Sequence, residues 1–101
     1  MIETSVREFH IKPKQYQLFR FTIRRPTMLY IRLWATAPVD LFLLDNEGRA
    51  DYERGEAFPY RATWGRRRDL IEEVEVESGT WYLVVEGKDE PSTGHIEVYQ
   101  Q

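Results

Sequence analysis

Along most of this chain, apolar and polar side chains alternate in short stretches, and turn-forming residues separate the stretches. Over residues 28–36, Leu29, Ile31, Leu33 and Ala35 fall on one side, and Tyr30, Arg32, Trp34 and Thr36 fall on the other. A period of two is what an extended strand with one buried face requires. Phe19, Phe21 and Ile23 alternate with Arg20 and Thr22, although Tyr16 and Leu18 add apolar groups to the polar side. Leu70, Val74 and Val76 alternate with Ile71, Glu73 and Glu75, and Ile96 and Val98 alternate with His95, Glu97 and Tyr99. The run 81–86 is apolar on both sides until its end, which predicts a central strand covered on both faces.

Breakers recur throughout: Pro13, Pro26, Pro38, Gly48, Gly55 with Pro59, Gly65, Gly79, and a polar loop over 87–94. A helix of ordinary length would have to cross one of them. The pattern predicts about eight strands, over 4–11, 15–24, 27–36, 39–45, 57–64, 69–77, 80–87 and 94–100. Asp45-Asn46-Glu47-Gly48 and Ser78-Gly79 read as tight turns. The expected fold is all-β, an antiparallel β-sandwich of jelly-roll or Greek-key kind, with residues 1–101 forming a single domain.

Composition sharpens this picture mainly by exclusion. The chain has 101 residues and no cysteine, so disulfides, cysteine-ligated zinc, iron–sulfur clusters and a thiol nucleophile are all ruled out. Its 5 Phe, 6 Tyr and 3 Trp argue for a folded core. Net charge is −3, which disfavours broad, salt-driven nucleic-acid binding. No apolar run has the length of a signal peptide core or a membrane span, so the expected location is cytoplasmic, with no membrane partner.

The run from Glu77 to Gly87, with Gly79-Thr80-Trp81-Tyr82 at its centre, resembles the penultimate strand of small bacterial β-sandwich modules of the pre-peptidase C-terminal type. The stretch Val39 to Asp45 resembles an upstream strand of the same modules. A further likeness, over residues 39–87, is to domain of unknown function 1883. It is carried by Val39 to Asp45, Tyr52-Glu53-Arg54-Gly55, the aromatic and basic stretch from Tyr60 to Arg68, and Gly79 to Val85. The sequence departs from that pattern in its long first half, 12–35, and in its acidic stretch, 72–77. The resemblance implies a β-sandwich without catalysis, used in sensing or partner recognition. It supplies no functional residues.

Candidate chemistry is sparse. His10 and His95 sit near opposite ends of the chain, so they become neighbours if the first and last strands pair; a zinc or catalytic site would need a third group. Ser5, Ser78 and Ser92 lie in terminal or turn-like contexts and outside any Gly-x-Ser-x-Gly elbow. No catalytic residue, metal ligand or cofactor is assigned, and the chain is read as a non-enzyme. The segment 45–51 carries several oxygens, but calcium is the weaker reading because the spacing is not that of an EF-hand. The strongest binding candidates are Tyr60, Arg61, Trp64, Arg66, Arg67 and Arg68, with Trp34, because arginine forks and aromatic faces dominate protein interfaces. A competing role for the arginines is local: a hairpin between 61–68 and 70–77 would set Arg against Glu. The functional expectation is an interaction module that binds a protein partner or self-associates as a homodimer. The alternatives are carbohydrate binding on exposed aromatics and anion binding by Arg61 to Arg68.

Overall fold

The computed structural model describes residues 3–100. Six strands and one helix follow in the order β1 (Glu3–Ile11), β2 (Tyr16–Ile23), β3 (Thr27–Leu44), α1 (Asn46–Glu53), β4 (Ala62–Val76), β5 (Gly79–Gly87) and β6 (Ser92–Gln100). Every pairing is antiparallel, so the all-β expectation holds. The strands number six because two expected pairs run on as single long strands. Segments 27–36 and 39–45 join through Pro38 into β3, and 62–64 joins 69–76 through Gly65 into β4. Residues 57–61 lie outside any strand.

The long strand β3 organises the molecule. Its first half, Leu29–Ala35, pairs with β6, and β6 in turn pairs with β1. Its second half, Val39–Leu44, pairs with β5, and β5 pairs with β2. Strand β4 pairs with β3 along the opposite edge. Two layers result: a front layer of β1, β6, the first half of β3 and residues 69–76 of β4, and a back layer of the second half of β3, β5, β2 and residues 62–67 of β4. Strands β1 and β2 approach each other where a turn joins them, with the His10 N–H donating to Gln17 Oε1 at 3.2 Å, so the sheet nearly closes on itself.

A strand can change layers only where its ladder breaks. The β3–β4 register shifts between Trp34 and Val39, and again between Val39 and Leu41. Pro38, which has no N–H to give a ladder, lies inside the first break. The freed backbone of Ala37 is satisfied by buried Ser92: its hydroxyl donates to Ala37 O at 2.7 Å and accepts from Ala37 N at 3.2 Å. Ser92 therefore belongs to a strand and not to the polar loop expected around it. Ser92→Ala leaves both Ala37 groups buried without this partner, and should cost about 1–3 kcal/mol in urea-melt stability.

At the second break, Asp40 takes the place of the ladder. It accepts from the Arg66 N–H at 2.9 Å through one oxygen and from Lys88 Nζ at 2.8 Å through the other. Arg66 is left-handed there, at φ 52°. The hydrogen bond and the charge of Asp40 raise the Lys88 pKa.

The core lies between the layers. Leu29, Ile31, Leu33, Leu70, Val74, Ile96 and Val98 from the front meet Val39, Leu41, Leu43, Leu83, Val85, Phe21 and Ile23 from the back. The alternation expected for β3 is observed residue by residue. The doubly covered strand is observed too: Tyr82, Leu83, Val84 and Val85 are all buried.

Segment 46–53 is the one element that differs in kind, being a helix where a turn was expected. The Asp45 side chain accepts from the Gly48 N–H at 2.8 Å and caps the helix, and Glu47 sits in the first turn. Gly48 serves close approach and not a positive φ, since a Cβ there would lie 2.4 Å from Pro59 O. The loop geometry that a calcium reading requires is thus replaced by helix.

Candidate functional site

The two outer faces of the sandwich differ. On the back layer, Phe42, Leu44, Tyr82, Val84 and Leu18 form a second apolar cluster with Tyr52 of α1 and Phe58 of the following loop. Tyr52 packs edge-on against Tyr16 and Phe58, with ring centroids 5.0 and 5.1 Å apart. Its hydroxyl donates to Glu86 Oε2 at 2.5 Å; burial first, and that bond second, push its pKa far up, so it stays a neutral donor. Tyr82 donates to Asn46 Oδ1 at 2.9 Å. These contacts cover the centre of the back face, leaving Tyr16 and Tyr60 exposed at its margin.

The front face has no such cover among the described residues. The registers put its outward side chains in rows across four strands. One row runs Ile71, Arg32, Glu97, Val6, and the next runs Asp69, Trp34, His95, Glu8. A third runs Glu73, Tyr30, Tyr99, Thr4. Trp34 is 48% exposed, Val6 52% and Ile71 75%. The His95 ring stacks on Trp34 at 6.0 Å and 26°. Glu8, His10, Trp34, Thr93 and His95 line a shallow cleft of about 420 Å³ at the end of this face. His10 Nδ1 lies 2.7 Å from Thr93 Oγ1. The two histidines thus do share a site, as pairing of the first and last strands implies. Among the described residues, no three His, Asp or Glu side chains gather in a way that could hold a metal ion.

The residues singled out from sequence are dispersed. Trp34 stands on the open front face. Trp64 faces Leu41 across the ladder and is half-buried against the core, so it is no surface platform. Tyr60 is exposed beside Phe58, at the cover of the back face. Arg61 lines a groove with Glu75, Glu77 and Trp81 at one rim of the sandwich. Arg66 is fixed at the Asp40 break, its guanidinium 3.8 Å from Asp89, while Arg67 and Arg68 are exposed along β4. No hairpin sets these arginines against the glutamates, because both blocks lie in one strand. Sequence reasoning missed Val6 and Arg32, and assigned Ile71 to a polar face without giving it a role. Their signal was their parity with Trp34, readable only once the registers are known. It also missed Arg7 and Arg20, which with Arg24 line a groove of about 460 Å³ between β1 and β2.

No family model matches the chain, and no curated protein matches its sequence. The likeness to domain of unknown function 1883 therefore has no support beyond the motifs that suggested it. Solved structures do match. The pre-peptidase C-terminal domain of collagenase from Bacillus anthracis has a TM-score of 0.66 at 12% identity, covering 93% of this chain and 85% of that one. The Yersinia pseudotuberculosis-derived mitogen has a TM-score of 0.68 at 20% identity, covering 97% and 86%. PliG of Aeromonas hydrophila, a periplasmic inhibitor of g-type lysozyme, has 0.62 at 8% identity, covering 96% and 84%. At these identities the likeness establishes the fold. Among the described residues, no helix is long and apolar enough to cross a membrane.

Proposed function

We propose that this domain is a non-catalytic recognition module that docks a protein partner on the open face of β1, β6, β3 and β4. One observation carries the reading: helix and loop cover the back face, while the equivalent front face leaves Trp34, Ile71 and Val6 in solvent. Ile71 and Val6 stand at the two ends of one row with Arg32 and Glu97 between them, and Trp34 lies between Asp69 and His95 in the next, so the face mixes an exposed aromatic anchor with apolar and charged groups, as protein interfaces do. The lysozyme inhibitor among the structural neighbours acts on a protein and is built on a similar fold. A photo-crosslinking residue placed at Val6 should capture a partner that one placed at Tyr60 does not. Trp34→Ala should abolish that capture, weakening binding by about 2 kcal/mol, roughly thirtyfold. Because Trp34 is half-exposed, the melting temperature should barely move. Equal capture from both positions, or capture indifferent to Trp34, contradicts the reading.

A second reading rests on the cleft beside Trp34, where an indole face meets Glu8, His10, Thr93 and His95. Its volume suits a small polar ligand such as a sugar. A glycan panel that leaves tryptophan fluorescence unchanged removes it. Anion binding by Arg61, Arg66, Arg67 and Arg68 is less favoured, because Arg61 shares a groove with Glu75 and Glu77 while Arg66 is fixed beside Asp40.

A further inference from the structure

We propose that β4 pairs edge to edge with β4 of a second copy, antiparallel, about a two-fold axis at Leu70. This goes beyond the partner reading and does not depend on it. Strand β4 spans 15 residues and, among the described residues, forms a ladder only with β3, so its other edge presents free backbone groups. Natural sheets commonly guard such an edge with charge. Here the charge is ordered: Arg66, Arg67 and Arg68 precede Leu70, and Glu72, Glu73 and Glu75 follow it. The strand is its own complement when reversed.

Antiparallel pairing about Leu70 sets Arg68 against Glu72 and Arg67 against Glu73, each twice by symmetry. Asp69 then faces Ile71. Opposite charges directly across an antiparallel ladder attract, whereas a parallel register would set arginine on arginine. Within one copy, no ion pair among the described residues occupies Arg67, Arg68, Glu72 or Glu73. Those four side chains are therefore free for a neighbour, and the local charge balance finds across a symmetry axis the partners that one strand cannot give itself. The contact is isologous and uses up both edges, so it closes at two copies and does not propagate. It also makes one continuous sheet of the two front layers, with four strands from each copy. Ile71 then lies at the seam, between Arg32 of its own chain and Asp69 of the second.

The test is sedimentation velocity across a concentration series. The wild-type chain should dimerise, and association should weaken about tenfold or more as salt rises from low to high, because exposed pairs are screened. Arg67→Glu with Arg68→Glu should be monomeric, as should Glu72→Arg with Glu73→Arg. An equimolar mixture of the two double variants, or the quadruple variant, should recover the dimer. A second measurement does not depend on those variants folding. The chain has no cysteine, so Asp69→Cys mixed with Ile71→Cys should give, on oxidation, a mixed disulfide dimer in excess of either self-linked one. A wild type that is monomeric at millimolar concentration overturns the proposal. So does a dimer indifferent to charge reversal, or the absence of a preferred mixed disulfide.

Discussion

Leu41→Ala should lower the stability of the domain by about 3–5 kcal/mol, a large part of the ~5–15 kcal/mol that a domain of this size holds. Leu41 has no exposed surface and sits where β3 is paired on both edges, facing Trp64 of β4 and Val85 of β5. Backbone ladders on both sides prevent the site from collapsing. Removing the isobutyl group therefore leaves a cavity as well as losing transfer free energy. Half-buried Trp64, which packs against the core here, would lose its support. The expected drop in melting temperature is about 4–8 °C for each kcal/mol. A loss under about 1 kcal/mol would mean that the two layers are not packed as described.

Gly94→Ala should be comparably severe for the opposite reason. A Cβ at Gly94 would lie 2.0 Å from Trp34 O, 2.8 Å from Ala35 Cα and 2.9 Å from Phe9 Cζ. Two of those atoms are backbone, so no rotamer change relieves the clash, and β6 must separate from β3. Overpacking typically costs about 1–3 kcal/mol, and a contact against backbone belongs at or above the upper end. The damage falls where Trp34 and His95 stack, so partner capture should fall together with stability, unlike in Trp34→Ala, where only capture falls. A Gly94→Ala protein with wild-type stability would contradict the β3–β6 register.

These two positions show what the sequence carries and what it does not. Parity carries a great deal: the inward set Leu29, Ile31, Leu33, Ala35 and the outward set Tyr30, Arg32, Trp34, Thr36 follow from alternation alone, because a half-buried strand leaves no other arrangement. Even the exposure of Ile71 is implied by its parity with Glu73 and Glu75. Non-local facts are not implied. Pro38 and Gly65 read as strand ends, yet each lies inside a strand that continues through a broken register, with Ser92 and Asp40 supplying the missing hydrogen bonds from elsewhere in the chain. Asp45 to Gly48 carries the signs of a turn and of a helix cap alike, and what favoured the helix was apolar cover for Phe42 and Leu44. The arginine-rich stretch looked like one site because its residues are adjacent in sequence. Alternation and the break at Arg66 send Trp64 inward, pin Arg66 to Asp40 and leave Arg67 and Arg68 on an open edge.

Hydroxyl-radical footprinting of the isolated chain at high dilution, with and without extract of its native host, measures most directly whether the front face is open and is the face used. Trp34 and Val6 should oxidise quickly in the isolated chain and become protected in extract, while Phe42, Phe58 and Leu18 stay slow in both. Slow oxidation of Trp34 and Val6 in the dilute chain, or fast oxidation unchanged by extract, would contradict the account.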